Sequence, residues 1–256
     1  MLNRSATLTS VLLLAAIAAG CGGESTEKKT PDAPLLKFDP ATAGTISGTV
    51  IFQGTPPPPT PADMGADEAC HTSQPQDPRL TDDVVVNGGK LANAFIYISE
   101  GVNGRYQPAA DSVVLNQHGC RYDPHVFGIM VGQKLVIKNS DPTLHNVHSM
   151  GSKNKQFNLA QYGTDRGKVQ TDIKEFDHEE IMVPVSCDVH GWMRSYAGVL
   201  NHPFYAVSGS DGSFSFKAPP GTYTLTAWHE RLGKQTAQVT IASGESKPVS
   251  FTFTMH

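Results

Sequence analysis

The residues best suited to chemistry lie in one short run, Cys187-Asp188-Val189-His190-Gly191-Trp192-Met193, with a second group far upstream, Asn139-Ser140-Asp141-Pro142-Thr143-Leu144-His145-Asn146. Together they supply a thiolate, two imidazoles and a thioether. Soft sulfur with borderline nitrogen selects copper over calcium or magnesium, and a cysteine and two histidines with a weak axial methionine form the donor set of an electron-transfer copper site. Cys187, His190 and Met193 recur every third residue, so a tight loop after a strand can turn all three inward. His145 must then arrive from a neighbouring strand end. The expected ligands of one copper ion, cycling between Cu(I) and Cu(II), are therefore His145, Cys187, His190 and Met193. His148 and Met150 are the alternatives to His145 and Met193. Residues three apart on a strand face opposite sides, so only one of His145 and His148 can reach the metal. Zinc also accepts cysteine and histidine, but one thiolate, two imidazoles and a thioether make a poor zinc set. A buried cysteine beside an ordinary loop is the plain structural alternative. Trp192, between two ligands, either shields the metal from water or touches a redox partner. His118, His125, His178, His202 and His229 are scattered without ligand spacing and receive no role.

A loop of this kind needs rigid strand ends to hold it, and the rest of the sequence reads as strands. Hydrophobic residues make up 39% and charged residues 17%, with 24 Gly and 18 Pro, a mixture that favours strands and turns over helices. Apolar, β-forming runs bounded by Gly, Pro, Asp or Asn occur at 45–52, 91–98, 113–115, 127–131, 134–139 and 180–185. A second meander follows at 214–217, 223–228, 235–241 and 248–253, with a turn at Pro219-Pro220-Gly221. No long segment keeps a 3.6-residue apolar period, so the predicted class is all-β.

The motifs quoted above, with the strand pattern Gly132-Gln133-Lys134-Leu135-Val136-Ile137-Lys138-Asn139 before His145, resemble the plastocyanin-type cupredoxins, and Cys-x₂-His-x₂-Met is similar to the short ligand loop of amicyanin. The resemblance covers about 110–203 and implies a Greek-key cupredoxin β-sandwich with a blue copper centre. It implies that Asn146 helps pin the ligand loops, and that His190 approaches the surface through an apolar patch, giving the electron a short exit. The tail, Gly212-Ser213-Phe214-Ser215-Phe216 running into Pro220-Gly221-Thr222-Tyr223-Thr224-Leu225, resembles a carboxypeptidase regulatory-like, transthyretin-like (Ig-like) β-sandwich. Its fifty or so residues are too few for such a module, whose opening strand often reads like Ile46-Ser47-Gly48-Thr49-Val50. The expected organisation is a sandwich begun by 44–109 and completed by 204–256, with the cupredoxin domain at 110–203 inserted. Two domains in simple succession are the alternative.

The N-terminus reads as an export signal at 1–21, with Arg4 as the positive region, an apolar stretch from Val11 to Ala19 and Ala18-Ala19-Gly20 before Cys21. Small residues before a cysteine resemble the bacterial lipoprotein box, which implies a lipid on Cys21 and a membrane-anchored protein facing the periplasm or cell surface, at the outer membrane if the cell has one. Plain secretion is the alternative. Residues 22–43, rich in polar residues and Pro, read as a flexible tether. With Cys21 lipidated and Cys187 in the metal motif, Cys70 and Cys120 are the natural disulfide pair in an oxidising compartment, two separate thiols being the alternative. The net charge of −4 and the absence of a Lys/Arg block argue against nucleic acid. The expected activity is outer-sphere electron transfer, not catalysis, since the His-x-His pairs of multicopper enzymes are missing. The expected partner is a redox protein, such as a cytochrome or a copper or quinoprotein enzyme. A copper carrier or sensor, and a non-redox interaction module, are the competing functions.

Overall fold

A computed structural model of the protein describes residues 34–65, 67–72 and 83–255. The predicted signal peptide, Cys21 and most of the predicted tether lie outside the described residues. In chain order the strands are β1 (Gly44–Gln53), β2 (Val86–Asn87), β3 (Lys90–Leu91), β4 (Phe95–Glu100), β5 (Val113–Gln117), β6 (Tyr122–Asp123), β7 (Val126–Met130), β8 (Leu135–Asn139), β9 (His145–Ser149) and β10 (Phe157–Gln161). They continue as β11 (Gln170–Lys174), β12 (Glu180–Ser186), β13 (Arg194–Leu200), β14 (Tyr205–Val207), β15 (Ser213–Ala218), β16 (Gly221–His229), β17 (Gly233–Ile241) and β18 (Ser246–Thr254). One short helix, α1 (Glu68–Thr72), and a 3₁₀ turn at Thr164–Arg166 interrupt them. The fold is all-β.

Four sheets form two sandwiches. The first draws on both ends of the described chain: β1 pairs antiparallel with β15, placing Ile46 opposite Phe216, and parallel with β18, placing Val50 opposite Phe251. Its second sheet runs in the order β14-β4-β16-β17. Alternation explains the packing, because successive side chains of a strand point to opposite faces. In β15, Phe214, Phe216 and Ala218 are buried while their neighbours face solvent. They join Ile46, Val50, Leu91, Ile96 and Phe253 in one apolar core. The apolar run 91–98 is two strands and not one. Asn93 adopts a left-handed φ of 60°, a conformation that asparagine tolerates, and there the chain crosses from the sheet of β1 to the sheet of β4.

Strands β5 to β13 lie between those two halves and make the second sandwich, with sheet orders β10-β9-β12-β13-β7 and β11-β8-β5-β6. Leu115, Ile137, Val147, Val183 and Val199 fill its core together with Cys187 and Met193. The sandwiches touch through a smaller cluster of Phe95, Tyr97, Val126, Met182 and Leu200. Gly128 of β7 pairs with Gly198 of β13 at this junction. A Cβ on Gly128 would come within 2.1 Å of the Tyr205 ring, and one on Gly198 within 2.3 Å of the Phe95 ring. Two adjacent glycines thus let two aromatic rings of the first sandwich lie against the sheet that carries the chemically reactive residues.

Glu180, at the start of β12, ties this strand to the loop after β9. Its carboxylate accepts hydrogen bonds from the Ser152 amide at 2.5 Å, the Ser152 hydroxyl at 2.8 Å, the Lys153 amide at 3.1 Å, the Asn154 amide at 3.0 Å and the Asn154 side-chain amide at 3.0 Å. Burial alone would raise its pKa, but these donors hold it at about 2.

Two predictions follow from this packing. Gly198→Ala should cost about 2 kcal/mol by overpacking against Phe95. That lowers the thermal unfolding midpoint by about 4–8 °C, and an unchanged midpoint would contradict the packing. The Glu180 contribution to stability is complete above its ordinary value of 4.5 and is lost as pH falls through about 2, because protonation removes the acceptor charge. Denaturant unfolding across that window should show stability rising with pH, and Glu180→Gln should flatten the rise.

Candidate metal centre

Antiparallel pairing of β9 with β12 sets Val185 opposite Ser149 and Ser186 opposite His148, which brings the beginning of β9 to the end of β12. His145 opens β9, and Cys187 follows β12 directly. From Cys187 the chain turns tightly: the Cys187 amide donates to the Met193 carbonyl at 3.2 Å, and the Met193 amide to the His190 carbonyl at 2.8 Å. This closes the loop and starts β13. His145 is 0% exposed, Met193 1%, Cys187 2% and His190 2%, so all four predicted ligands are removed from water.

Three donor atoms converge. The Nδ1 atoms of His145 and His190 are 2.8 Å apart, and Cys187 Sγ is 3.8 Å from His190 Nδ1. Met193 packs in the same core as Cys187. His148, three residues after His145, turns away and pairs with Asp188 at 3.0 Å, while Met150 is 39% exposed. Asn146 links the two ligand segments: its Oδ1 accepts from the Asp188 amide at 2.7 Å and from the Cys187 thiol at 3.2 Å, and its Nδ2 donates to Asp188 at 3.1 Å. The Cys187 sulfur also receives the amides of Asn146 at 3.5 Å and His190 at 3.4 Å. Burial pushes the Cys187 thiol up, but the His145 and His190 rings beside it, with those two amides, bring it down to about 6.

Each histidine is backed by a carboxylate on its far nitrogen. His145 Nε2 lies 2.9 Å from Asp141 Oδ2, and His190 Nε2 lies 3.0 Å from Asp67 Oδ2. Burial would raise the pKa of Asp141, yet His145 and the amides of Cys120 and Gly119 hold it below the ordinary range. For Asp67, burial is likewise outweighed by the Cys70 amide, His190 and Thr143. Ionised carboxylates can only accept, so both Nε2 atoms carry the hydrogen, and a neutral ring then presents a bare lone pair at Nδ1. Two such lone pairs at 2.8 Å repel unless a proton or a cation lies between them. Burial lowers the His145 pKa, but Asp141 and Cys187 raise it further, and the net direction is upward.

A cation that accepts nitrogen and thiolate sulfur relieves the same repulsion, so this donor set fits copper. Cys70 Sγ lies within 4.8 Å of ligand atoms of His145 and His190, and Cys120 Sγ within 4.8 Å of those of Asp141 and His145. Neither sulfur offers a thiolate, because Cys70 and Cys120 form a disulfide with their Cα atoms 5.6 Å apart. Among the described residues Cys187 is the free cysteine.

One expectation drawn from the family resemblance is overturned. His190 does not approach the surface through an apolar patch. The segment bearing Asp67 and α1, which belongs to the chain before the inserted sandwich, covers its outer edge. Trp192 lies beside His190 with ring centroids 5.0 Å apart and donates to the Cys120 carbonyl at 3.0 Å. Reasoning from sequence also missed both carboxylates. Asp141 stands four residues before His145 inside the motif already singled out. Asp67 is separated from His190 by 123 residues, and no local pattern marks it.

No family model and no curated protein matches the chain. Several solved structures are similar to part of it. An oxidised mutant of amicyanin is 18% identical over 41% of this chain and 97% of that one, with a TM-score of 0.30. A purple cupredoxin from Nitrosopumilus maritimus is 19% identical over 34% of this chain and 99% of that one, with a TM-score of 0.28. The copper-containing nitrite reductase from Thermus scotoductus SA-01 is 15% identical over 47% of this chain and 26% of that one, with a TM-score of 0.32.

Proposed function

We propose that this protein is a mononuclear copper protein that carries electrons by outer-sphere transfer, and that His145, Cys187 and His190 would hold the ion, with Met193 as a weaker donor. The observation behind this reading is the pair of buried Nδ1 atoms facing each other at 2.8 Å beside a cysteine sulfur. Copper, when bound, supplies a one-electron couple between Cu(I) and Cu(II). The protein's own groups do the rest. Asp141 and Asp67 fix the tautomer and orientation of the two imidazoles, Asn146 holds the two ligand segments together, and the amides of Asn146 and His190 stabilise charge on the Cys187 sulfur. A donor set this buried and this heavily hydrogen-bonded resists rearrangement, which keeps the structural cost of gaining or losing an electron small. It also leaves the ligands shielded from substrate, in keeping with a carrier and not an enzyme.

We further propose that Cys21 is lipidated, that the protein is anchored to a membrane facing the periplasm or cell surface, and that its partner is another redox protein. The buried disulfide suits an oxidising compartment. A copper carrier or sensor would use the same ligands but give the metal up readily to a chelator.

Stoichiometric Cu(II) should produce an intense thiolate-to-copper visible band that survives removal of excess metal. Cys187→Ser should abolish the band while far-ultraviolet circular dichroism stays that of the β-fold. A retained band would refute the ligand assignment. In cells, Cys21→Ala should shift the protein from the membrane fraction to the soluble exported fraction, and continued membrane partitioning would refute the anchor.

A further inference from the structure

The covering of His190 has a specific construction. Asp67 Oδ2 accepts from His190 Nε2 at 3.0 Å and from the Thr143 hydroxyl at 3.0 Å, while Asp67 Oδ1 accepts from the Cys70 amide at 2.9 Å. The Asp67 carbonyl receives the His71 amide at 2.9 Å, so α1 begins on the same residue. Cys70 Sγ sits 3.9 Å from His190 Nε2. Met64, Cys70 and Cys120 form a small buried cluster against which Trp192 packs. The disulfide has a matching role on its other half, where the Cys120 amide donates to Asp141 Oδ2 at 2.8 Å and the Gly119 amide to Asp141 Oδ1 at 2.6 Å. The two halves of one disulfide therefore donate their amides to the two carboxylates that orient the two histidines.

This arrangement joins distant parts of the chain. Asp67 comes before the inserted sandwich and His190 lies within it, so nothing local in sequence keeps them together. A five-residue helix has little stability by itself. The covalent bond to Cys120, which is anchored beside Asp141, supplies the missing restraint by removing freedom from the open state. An imidazole held by a carboxylate on its far nitrogen is fixed in tautomer and ring angle. A carboxylate there also adds negative charge that favours the more positive oxidation state of a metal on the other nitrogen.

We propose that Asp67 is a positioning residue for the copper site, and that the segment carrying it is a lid clamped over His190 by the Cys70–Cys120 disulfide. The lid fixes His190 with Nδ1 inward, slows exchange of the metal and closes the His190 edge as a path for direct contact with a redox partner. This inference rests on the copper reading given above, but its first consequence is visible in the metal-free protein.

The test uses the full chain as wild type, as Asp67→Ala, as Asp67→Asn and as the paired Cys70→Ser, Cys120→Ser variant. In metal-free protein, hydrogen–deuterium exchange at the imidazole C2 position, read by mass spectrometry, should be slow for His190. It should speed up in Asp67→Ala and in the disulfide-free variant. Asp67→Asn keeps an acceptor for Nε2, so exchange should stay slow. In copper-loaded protein, loss of metal to a chelator should accelerate by about 10–100-fold in Asp67→Ala. The reduction potential should rise in both Asp67 variants, a change that a merely structural role would not produce in Asp67→Asn. Fast His190 exchange in wild type, or exchange unchanged in Asp67→Ala with a native far-ultraviolet spectrum, would overturn the lid. If the disulfide-free variant fails to fold, the Asp67 variants decide the matter. A wild type without a thiolate-to-copper band would overturn the copper reading, while the metal-free exchange would still judge the lid.

Discussion

Two imidazole nitrogens facing each other at 2.8 Å in a buried site constitute an electrostatic problem that the surrounding structure is arranged to create and hold. Left alone, each ring would turn to hydrogen-bond through Nδ1 or move toward water. Asp141 and Asp67 prevent this by engaging the far nitrogens, and both carboxylates are fixed by backbone amides next to one disulfide. The buried thiol of Cys187 adds a third donor with its own two amide partners. Burying these groups without mutual satisfaction would cost several kcal/mol each. The arrangement therefore directs two ring nitrogens and a sulfur at one another inside a buried pocket of the fold.

The rest of the fold serves that constraint at increasing distance. Antiparallel pairing of β9 with β12 brings His145 to Cys187, and Glu180 ties β12 to the loop after β9 through five hydrogen bonds. The paired glycines 128 and 198 let Tyr205 and Phe95 seat one sandwich against the sheet that carries the candidate ligands. That seating matters because the Asp67 segment belongs to the chain outside the insert yet must reach His190. The contact between sandwiches and the disulfide thus act together on one ring.

Much of this was legible in the sequence, for a physical reason in each case. Donor type and three-residue spacing singled out Cys187, His190 and Met193, while strand geometry allowed only one of His145 and His148 at the same point and the family resemblance favoured His145. Half-buried strands such as 213–218 show themselves by alternation. Strands 157–161 and 170–174 do not, because they lie at sheet edges, where burial no longer sorts polar from apolar: Asn158 faces outward but so does Ile173, while Asp172 is half-buried and accepts from the buried Gln161 side chain. The split of 91–98 between two sheets was hidden because Ala92 and Ala94 keep the run apolar while the φ of Asn93 turns it. Asp67 could not be seen at all, since its role depends on a contact across 123 residues. The expected exposure of His190 came from family resemblance, and a segment outside the resembling region reversed it.

Copper K-edge X-ray absorption of the copper-loaded protein tests the central claim most directly, because it counts the atoms bound to the metal. The account predicts two imidazole nitrogens and one short thiolate sulfur around a single copper in both oxidation states, with little change in distances between them. A shell of nitrogen and oxygen alone, or a copper–copper scatterer, would contradict it.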